Sequence, residues 1–363
     1  MRSKFRRNWD DINLKIESAF RKRKSRKNAK IRLKRTNGGF SCDAEYQRKV
    51  LPYWKKYGYK PAKYWYKIFS EREQKVDPRY IPDDLYYGEI IPYFSNQQFR
   101  RFAEDKCYHD LWFSNFKRPR TLCKNIASVY YDADMNLITK EQAIEILAAE
   151  QEEFLIKPSV DSGEGRLIQF FEKKDINKKR IEKALDSLKA NFIVQACVKQ
   201  HPEISKLNAS SLNTIRVISF LFKDEVHILS SILRVGAPNA KVDNVSAGGY
   251  ACPICADGSL KTKAVNKRGE WIEATAEGVR FGDIKIPNFD VIINTIRKTH
   301  PLLAHFKLVG WDIAIDEAAD PVFIEYNVCP GSNQITCGPT FGELTEEVLD
   351  EFFVNRTLRN AQN

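Results

Sequence analysis

The pattern of hydrophobic and polar positions starts as helical and becomes β-rich further along the chain. Near the start, apolar residues recur at three- and four-residue steps, which predicts a helix with one apolar face. These residues are Phe5, Trp9, Ile12, Ile16 and Phe20. Residues 45–70 interleave aromatic side chains with lysines, which favours amphipathic helices that bury their rings. Stacking of these rings on bases or sugars is the alternative.

The middle of the chain alternates short apolar strands with helices, and β-forming residues dominate from residue 214 onward. Thr139 and Gln142 form a capping-box pattern that predicts a helix through about residue 150. Asp257-Gly258 predicts a hairpin turn, and Pro287 predicts the opening of a helix over 287–300. The predicted strands are 154–158, 191–198, 214–222, 227–235, 250–256, 259–265, 307–315 and 321–328.

Composition narrows the class of protein. A chain of 363 residues has room for two or three domains, and 43% hydrophobic residues exclude a wholly disordered chain. No apolar run approaches the roughly 18 residues of a membrane span, and the charged start leads into no apolar segment typical of a secretory signal. Eight cysteines spread over a long chain indicate free thiols in a reducing cytoplasm.

The positive charge of the chain is concentrated at its start. Residues 1–36 hold 15 of the 59 Lys/Arg and 3 of the 47 Asp/Glu, so this segment carries the whole formal net charge of +12. A neutral remainder disfavours nucleic acid as a partner. A basic amphipathic helix can lie on the cytoplasmic face of an anionic membrane. The alternative is a helix that docks its apolar face on the body and leaves its charges in solvent.

Two short strands near residue 315 carry oxygen-bearing side chains among apolar ones. A five-residue turn joins them, so residue 315 should pair with 321, which places Asp312 opposite 324 or 325. Glu325 and Asn327 are two residues apart and share a face of their strand. Only one register adds Asp312 to that face, forming a patch of two carboxylates and an amide oxygen. Mg²⁺ takes such ligands, and acid–base chemistry by paired carboxylates is the competing interpretation.

A lysine and a small glycine-containing loop follow the strand at 154–158. Lys157 lies at the end of that strand, where its charge can meet a phosphate. Glycines let backbone N–H groups approach phosphate oxygens. The loop matches neither standard phosphate-binding fingerprint, so a simple turn is an alternative. Its candidate residues are Ser162, Gly163, Gly165 and Arg166.

Two arginines lie in the apolar β-rich runs. Antiparallel pairing of 214–222 with 227–235 would bring Arg216 and Arg234 near each other. An arginine in such a strand needs a buried anion or carboxylate, so either a bound anion or a structural ion pair is predicted. A polar loop that contains Asn244 follows these strands.

The cysteine pair Cys252 and Cys255 forms a lone CxxC motif. A zinc site needs two more ligands, and no second CxxC or paired histidine accompanies this motif. Thiols in the protein core are therefore the favoured interpretation.

In this order, the segments resemble the ATP-grasp superfamily, and in particular its sugar-transfer-associated branch, found among bacterial surface-polysaccharide genes. The resemblance runs from about residue 100 to 335. It rests on the Lys157-Pro158 segment with its glycine loop, Leu212-Asn213-Thr214-Ile215-Arg216, Asp243-Asn244 with Ser246-Ala247-Gly248-Gly249, Gly310-Trp311-Asp312, and Ile324-Glu325-Tyr326-Asn327 followed by Pro330-Gly331.

The resemblance implies an α+β fold in which two subdomains clamp ATP with Mg²⁺. The family commonly has Glu where Gln195 stands at the adenine hinge. The implied nucleotide-binding residues are Lys106, Lys157, Ser162, Gly163, Gly165, Arg166, Gln195, Ala196 and Val198. The implied metal ligands are Asp312, Glu325 and Asn327. The implied catalytic residues are Arg216, with Arg234 beside it, and Asn244, whose loop resembles the one that meets the acceptor.

The same resemblance implies an ATP-dependent carboxylate–amine ligase that forms an acyl phosphate. We expect a setting in capsule or other cell-surface polysaccharide synthesis, with a small-molecule or lipid-linked glycan as substrate. A kinase on the same scaffold and a non-catalytic nucleotide- or glycan-binding protein are the alternatives. The expected parts are a basic arm (1–40), a mostly helical region (41–120), a central subdomain (121–195) and a C-terminal subdomain with the metal site (196–363).

Overall fold

A helical N-terminal region precedes two antiparallel sheets, as the predicted α+β class requires. The computed structural model describes residues 2–36, 38–160, 167–243, 245, 248–266 and 268–361, with side chains from residue 12 to residue 355 in its first and last helices. The strand orders are β3-β2-β1-β6-β4-β5 and β11-β10-β9-β8-β7-β12-β13. The strands of the first sheet are β1 (Thr121–Ile126), β2 (Val129–Asp132), β3 (Leu137–Ile138), β4 (Phe154–Pro158), β5 (Gln169–Phe171) and β6 (Phe192–Ala196). The strands of the second sheet are β7 (Thr214–Phe222), β8 (Glu225–Val235), β9 (Tyr250–Pro253), β10 (Ala264–Asn266), β11 (Trp271–Ile272), β12 (Leu308–Ile315) and β13 (Pro321–Asn327).

The helices of the N-terminal region are short after the first. They are α1 (Arg2–Arg35), α2 (Asp43–Glu45), α3 (Leu51–Lys55), α4 (Lys63–Phe69), α5 (Asp83–Leu85), α6 (Ile91–Phe94), α7 (Arg100–Ala103) and α8 (His109–Trp112), with π-helical turns at Tyr46–Val50 and Tyr86–Ile90. Trp54, Trp65 and Tyr66 are at most 2% exposed, so the aromatic stretch forms a core, as predicted. Burying each such ring contributes about 2 kcal/mol.

The second half of α1 docks on this region. Lys22 pairs with Glu89 (2.6 Å), and Arg26 pairs with Asp84 (2.7 Å). Ala29 is buried in the same core as the aromatic rings. The basic segment is therefore held against the body over part of its length.

Three apolar residues in the first half of α1 are exposed. Ile12, Ile16 and Phe20 are 46%, 63% and 64% exposed. The docked alternative is therefore wrong for these three residues. No helix in the described part of the chain is long and apolar enough to cross a membrane.

Asp83, at the start of α5, provides a test of this packing through its pKa. Burial raises the pKa of Asp83 to about 7, although its carboxylate accepts a hydrogen bond from Ser332 (2.9 Å). Because the pKa of Asp83 is higher in the folded state than in the unfolded state, protonated Asp83 favours folding. Its contribution to the free energy of unfolding is complete below the unfolded-state pKa near 4 and is lost as the pH rises through 7. We therefore expect Asp83→Asn to leave the melting temperature unchanged at pH 4 and to raise it by on the order of 2 °C at pH 8.

Thermal unfolding at both pH values tests this expectation, with the exposed Asp134→Asn as the matched control. The expectation would be contradicted if the melting temperature of Asp83→Asn differed from that of the wild type by the same amount at pH 4 and at pH 8.

The first sheet is covered by α9 (Lys140–Ala148) and α10 (Lys178–Leu188). Thr139 and Gln142 form the capping box that the sequence predicts, because each side chain accepts from the other residue's backbone N–H. Leu147 and Ile181 pack with Phe154 and Phe192 of the sheet in one buried cluster. The short helix α11 (Pro202–Ser205) lies between β6 and β7 in the chain.

The second sheet is buried on both faces. Ile292 of α12 (Phe289–Thr299) packs with Trp311 in one cluster, and Phe220 joins the aromatic core of the N-terminal region in another. The predicted hairpin at Asp257-Gly258 is present, with Gly258 at a φ of +87°. The predicted start of α12 at Pro287 is wrong, because Asn288 adopts a left-handed conformation and the helix begins after it. The chain continues into α13 (Gln334–Cys337) and α14 (Thr345–Ala361).

Candidate active site

The strands β12 and β13 form the antiparallel hairpin that the sequence predicts. Ile315 pairs with Pro321, but a bulge in the register brings Asp312 opposite Glu325. Directly opposed residues of an antiparallel pair share one face of the sheet, and Asn327 shares that face with Glu325. The structure therefore adopts the register that brings both carboxylates and the amide together.

The strands β7 and β8 supply two arginines to the same carboxylate. Asp312 is the cross-strand partner of Arg216, and it is only 3% exposed. It accepts hydrogen bonds from Nε and Nη2 of Arg216, the latter at 2.6 Å, and from Nη1 of Arg234 at 3.0 Å. The predicted proximity of the two arginines is confirmed. Asp312 is the carboxylate partner that arginines in such apolar strands require.

Gly310 gives this network the space it needs. A Cβ atom on Gly310 would lie 2.9 Å from Cβ of Pro330 and 3.3 Å from Cδ of Arg216. Any side chain there would push against the loop after β13 or against Arg216. The glycine thus lets the Arg216 side chain run along the sheet toward Asp312.

Asp243 is a member of the network to which the sequence reasoning gave no role. It accepts hydrogen bonds from Arg234 Nη2 (2.8 Å) and from the backbone N–H of Thr214 (3.1 Å). Burial raises the pKa of Asp243, and the charge of Arg234 opposes this shift. One feature of the sequence could have indicated this role. Arg234 lies in an apolar strand and therefore needs a nearby carboxylate, and Asp243 lies in the polar loop that follows that strand.

Lysines from two other parts of the chain meet Glu325. Lys106, in a turn of the N-terminal region, lies 3.1 Å from Glu325 and donates its backbone N–H to Ser159, two residues past Lys157. Partial burial opposes ionisation of Glu325, but Lys106 and Lys157 hold its pKa at about 2. Burial and the charge of Lys106 lower the pKa of Lys157 to about 8. The first sheet, the N-terminal region and the second sheet therefore converge at Glu325.

The remaining nucleotide residues are only partly described. Gln195 lines one crevice with Lys106, and the Ala196 N–H donates to the carbonyl of Arg120 (2.9 Å). Val198 follows the end of β6 and is half-buried. The predicted residues Ser162, Gly163, Gly165, Arg166 and Asn244 lie outside the described residues.

The oxygen donors suit Mg²⁺ in kind. Asp312, Glu325 and Asn327 offer two carboxylates and an amide oxygen, the ligand types that this hard cation takes. The amide oxygen of Asn327 accepts one hydrogen bond, from the N–H of Cys329 (2.8 Å), and keeps a second lone pair. Neighbouring cations keep the carboxylate of Glu325 ionised. Glu325 and Asn327 therefore fit a divalent cation in kind, whereas both carboxylate oxygens of Asp312 already accept hydrogen bonds from Arg216 and Arg234.

The cysteines contribute no comparable donor set. Cys252 is buried in the core of the second sheet, Cys255 is half-buried, and both are free thiols. Within the described ranges, no group of three His, Cys, Asp or Glu residues is placed to hold a metal ion. Cys252 thus takes the core position favoured by the sequence.

The arginines and carboxylates paired on the second sheet are met by Lys106 of the N-terminal region, with Lys157 of the first sheet close enough to influence Glu325. Residues 120–348, more than half of the chain, match the family described as sugar-transfer associated ATP-grasp. The chain belongs to this family and has its ATP-grasp fold. A search of curated proteins found no match.

Solved structures similar to this chain include three amino-acid ligases. D-alanyl-alanine synthetase A from Vibrio cholerae is 11% identical, with a TM-score of 0.42 and coverage of 70% of this chain and 65% of that one. L-amino acid ligase from Bacillus licheniformis is 11% identical, with a TM-score of 0.36 and coverage of 64% and 41%. VanG D-Ala:D-Ser ligase from Enterococcus faecalis is 13% identical, with a TM-score of 0.40 and coverage of 69% and 60%. The chain thus spans less than two thirds of the length of each.

Proposed function

We propose that the protein is an ATP- and Mg²⁺-dependent carboxylate–amine ligase. The observation that carries the proposal is the convergence of Arg216, Arg234, Asp312 and Glu325, from four adjacent strands of the second sheet, with Lys106. This array holds cations, which can bind phosphate oxygens, directly beside carboxylates, which can bind a metal. Membership of the ATP-grasp family supports the use of ATP.

The proposed reaction has two displacement steps. A substrate carboxylate oxygen attacks the γ-phosphorus of ATP, so ADP leaves and an acyl phosphate forms. An amine then attacks the acyl carbon, inorganic phosphate leaves, and the amine releases a proton. Mg²⁺ held by Asp312, Glu325 and Asn327 would neutralise phosphate charge.

The protein's own groups provide positioning and charge. Lys106 and Lys157 bind phosphate oxygens of the nucleotide, which raises the pKa of Lys157 from its low free-enzyme value. Arg216 and Arg234 face the transferred phosphoryl group, and Asp312 holds their guanidinium planes in place. Catalysis by such fixed charges requires no covalent bond to the protein.

The test combines nucleotide binding with product analysis. Mg²⁺-dependent ATP binding should raise the melting temperature of the wild type, and Glu325→Ala and Lys157→Ala should reduce this shift. The matched controls Glu317→Ala and Lys199→Ala change exposed residues and should retain it. ADP release is then screened with pairs of carboxylates and amines, and hydroxylamine traps the acyl phosphate as a hydroxamate.

The outcomes separate the candidate functions. Amide product and trapped hydroxamate support the ligase, whereas a phosphorylated final product identifies a kinase. Nucleotide binding without ADP release identifies a non-catalytic protein. A wild-type melting temperature that does not change when ATP and Mg²⁺ are added contradicts both enzyme proposals.

We further propose that the ligase acts on a small-molecule or lipid-linked glycan in cell-surface polysaccharide synthesis, at the cytoplasmic face of a membrane. The exposed Ile12, Ile16 and Phe20 on the basic helix α1 support membrane contact, because apolar and cationic groups together favour anionic lipid surfaces. Sedimentation with phosphatidylglycerol vesicles should fall about tenfold for Ile16→Asp. It should be unchanged for Leu137→Asp, which alters an exposed apolar residue in β3, and equal losses in both variants would contradict the proposal.

A further inference from the structure

A cavity of about 560 Å³ lies between α1 and the rest of the N-terminal region. Its walls come from residues 17–32 of α1, from Trp65 and Ile68 of α4, and from the loop after β13. Small-molecule pockets typically measure about 300–1,000 Å³, whereas one water needs only about 30 Å³. The cavity therefore has the size of a ligand site.

Positive side chains outnumber negative ones around this cavity. The cations are Arg21, Lys24, Arg32 and Arg100, and the carboxylates are Glu17 and Asp83. Arg21 pairs with Glu17, and Arg100 pairs with Glu104 at 2.8 Å. The lining as a whole is therefore suited to an anion.

Two of the cations are incompletely balanced. Lys24 is exposed and has no ion pair among the described residues. The Arg32 side chain is only 14% exposed, and its nearest carboxylate, on Glu71, is 3.5 Å away, too long for a well-formed hydrogen bond. Burial lowers the pKa of Arg32 by disfavouring its charge, and Glu71 opposes this only in part. An anion in the cavity would compensate both charges.

The uncharged part of the lining suits a polar ring. The half-buried Tyr87 provides aromatic surface, while Ser25 and Asn28 provide hydrogen-bonding groups. Aromatic faces pack against the C–H faces of a sugar, and the polar groups can pair with its hydroxyls. A purely aliphatic ligand would leave these polar groups unpaired.

The cavity lies next to the candidate metal ligands. Cys329 lines the cavity, and its backbone N–H donates to the side chain of Asn327 at 2.8 Å. Arg100 pairs with Glu104, which accepts the backbone N–H of Val328 at 3.0 Å. One wall of the cavity is therefore built from the segment that leaves the metal-binding strand.

We propose that this cavity binds an acidic sugar, one that carries a carboxylate or a phosphate, as a substrate of the enzyme. That the sugar is a substrate rests on the proposed ligase function. That the cavity binds an acidic sugar rests only on its charge and lining. The basic helix α1 thus acts as one wall of the binding site.

The test measures sugar binding and catalysis separately in the full chain. Isothermal titration without nucleotide compares glucuronate and galacturonate with glucose 1-phosphate, neutral glucose, acetate and inorganic phosphate. Lys24→Glu reverses a charge at the cavity, and Asn28→Trp fills it. Lys27→Glu is the matched control, since it makes the same change at an exposed position of α1 outside the cavity lining.

We expect at least one acidic sugar to bind more tightly than glucose and than the free anions. Lys24→Glu should weaken its binding about tenfold, equivalent to about 1.4 kcal/mol. Asn28→Trp should abolish the binding, and Lys27→Glu should change it less than about twofold. The preferred sugar identifies whether carboxylate or phosphate is recognised.

Other outcomes overturn one proposal without the other. Sugar binding that depends on Lys24 but leads to no ADP release keeps the cavity site and rejects the ligase. A second result is a KM for the acidic sugar in ADP release that is equal in Lys24→Glu, Asn28→Trp and Lys27→Glu. This result would support the ligase and contradict the cavity site. Wild-type protein that binds none of the acidic sugars at millimolar concentration also rejects the cavity site.

Discussion

Replacing Glu325 by glutamine is expected to lower Mg²⁺-dependent ADP release by about 10³-fold, because it removes one of two carboxylates available to the cation. Glutamine has nearly the same shape and its amide oxygen can still accept a hydrogen bond from Lys106. The fold should therefore persist while the charge that binds the cation is lost. Single-turnover ADP release, once an acid and amine pair is known, measures the effect.

Two comparisons make this expectation specific. Glu317→Gln changes an exposed carboxylate on the turn of the same hairpin and should retain full activity. Raising the Mg²⁺ concentration should restore part of the activity of Glu325→Gln, because the remaining ligands still bind the cation weakly. A Glu325→Gln variant within about threefold of the wild type would show that this carboxylate is not a metal ligand.

Replacing Asp312 by asparagine is expected to lower the free energy of unfolding by about 3 kcal/mol, because it removes the carboxylate that two arginines share. Arg216 then loses its ionic partner, and Arg234 keeps only Asp243. Urea denaturation measures the loss. Activity should fall with it, since both arginines lose their fixed orientation.

The matched control for this variant is Asp320→Asn, on the same hairpin. Asp320 is exposed and pairs with the exposed Lys117 at 2.7 Å, so its loss should cost less than about 1 kcal/mol. Equal stability losses in the two variants would contradict a special structural role for Asp312. A stable but inactive Asp312→Asn variant would show that this carboxylate acts in the reaction and not in stability.

Much of the fold follows from local patterns. The capping box at Thr139, the turn at Asp257-Gly258 and the hairpin around residue 318 were predictable, because each depends on nearby residues with strong conformational preferences. The aromatic core was predictable from the spacing of rings. The start of α12 was not, because Asn288 caps it in a conformation that sequence alone does not specify.

The sequence also identified the charged groups of the candidate site, but not how they pair. Counting back from the hairpin turn leaves Asp312 opposite either 324 or 325, and the bulge between Asp312 and Ile313 selects Glu325. The sharing of Asp312 by Arg216 and Arg234 depends on the pairing of β12 with β7, two strands that are far apart in sequence. The role of Asp243 became visible only from these contacts.

By itself, the sequence determined the residue types, the local elements and the position of the positive charge. These follow from side-chain chemistry and from spacings of a few residues. Only the tertiary structure decided that the second half of α1 docks beside a cavity while Ile12, Ile16 and Phe20 stay exposed. Helix periodicity shows which residues share a face, but what that face meets depends on packing between segments far apart in the chain.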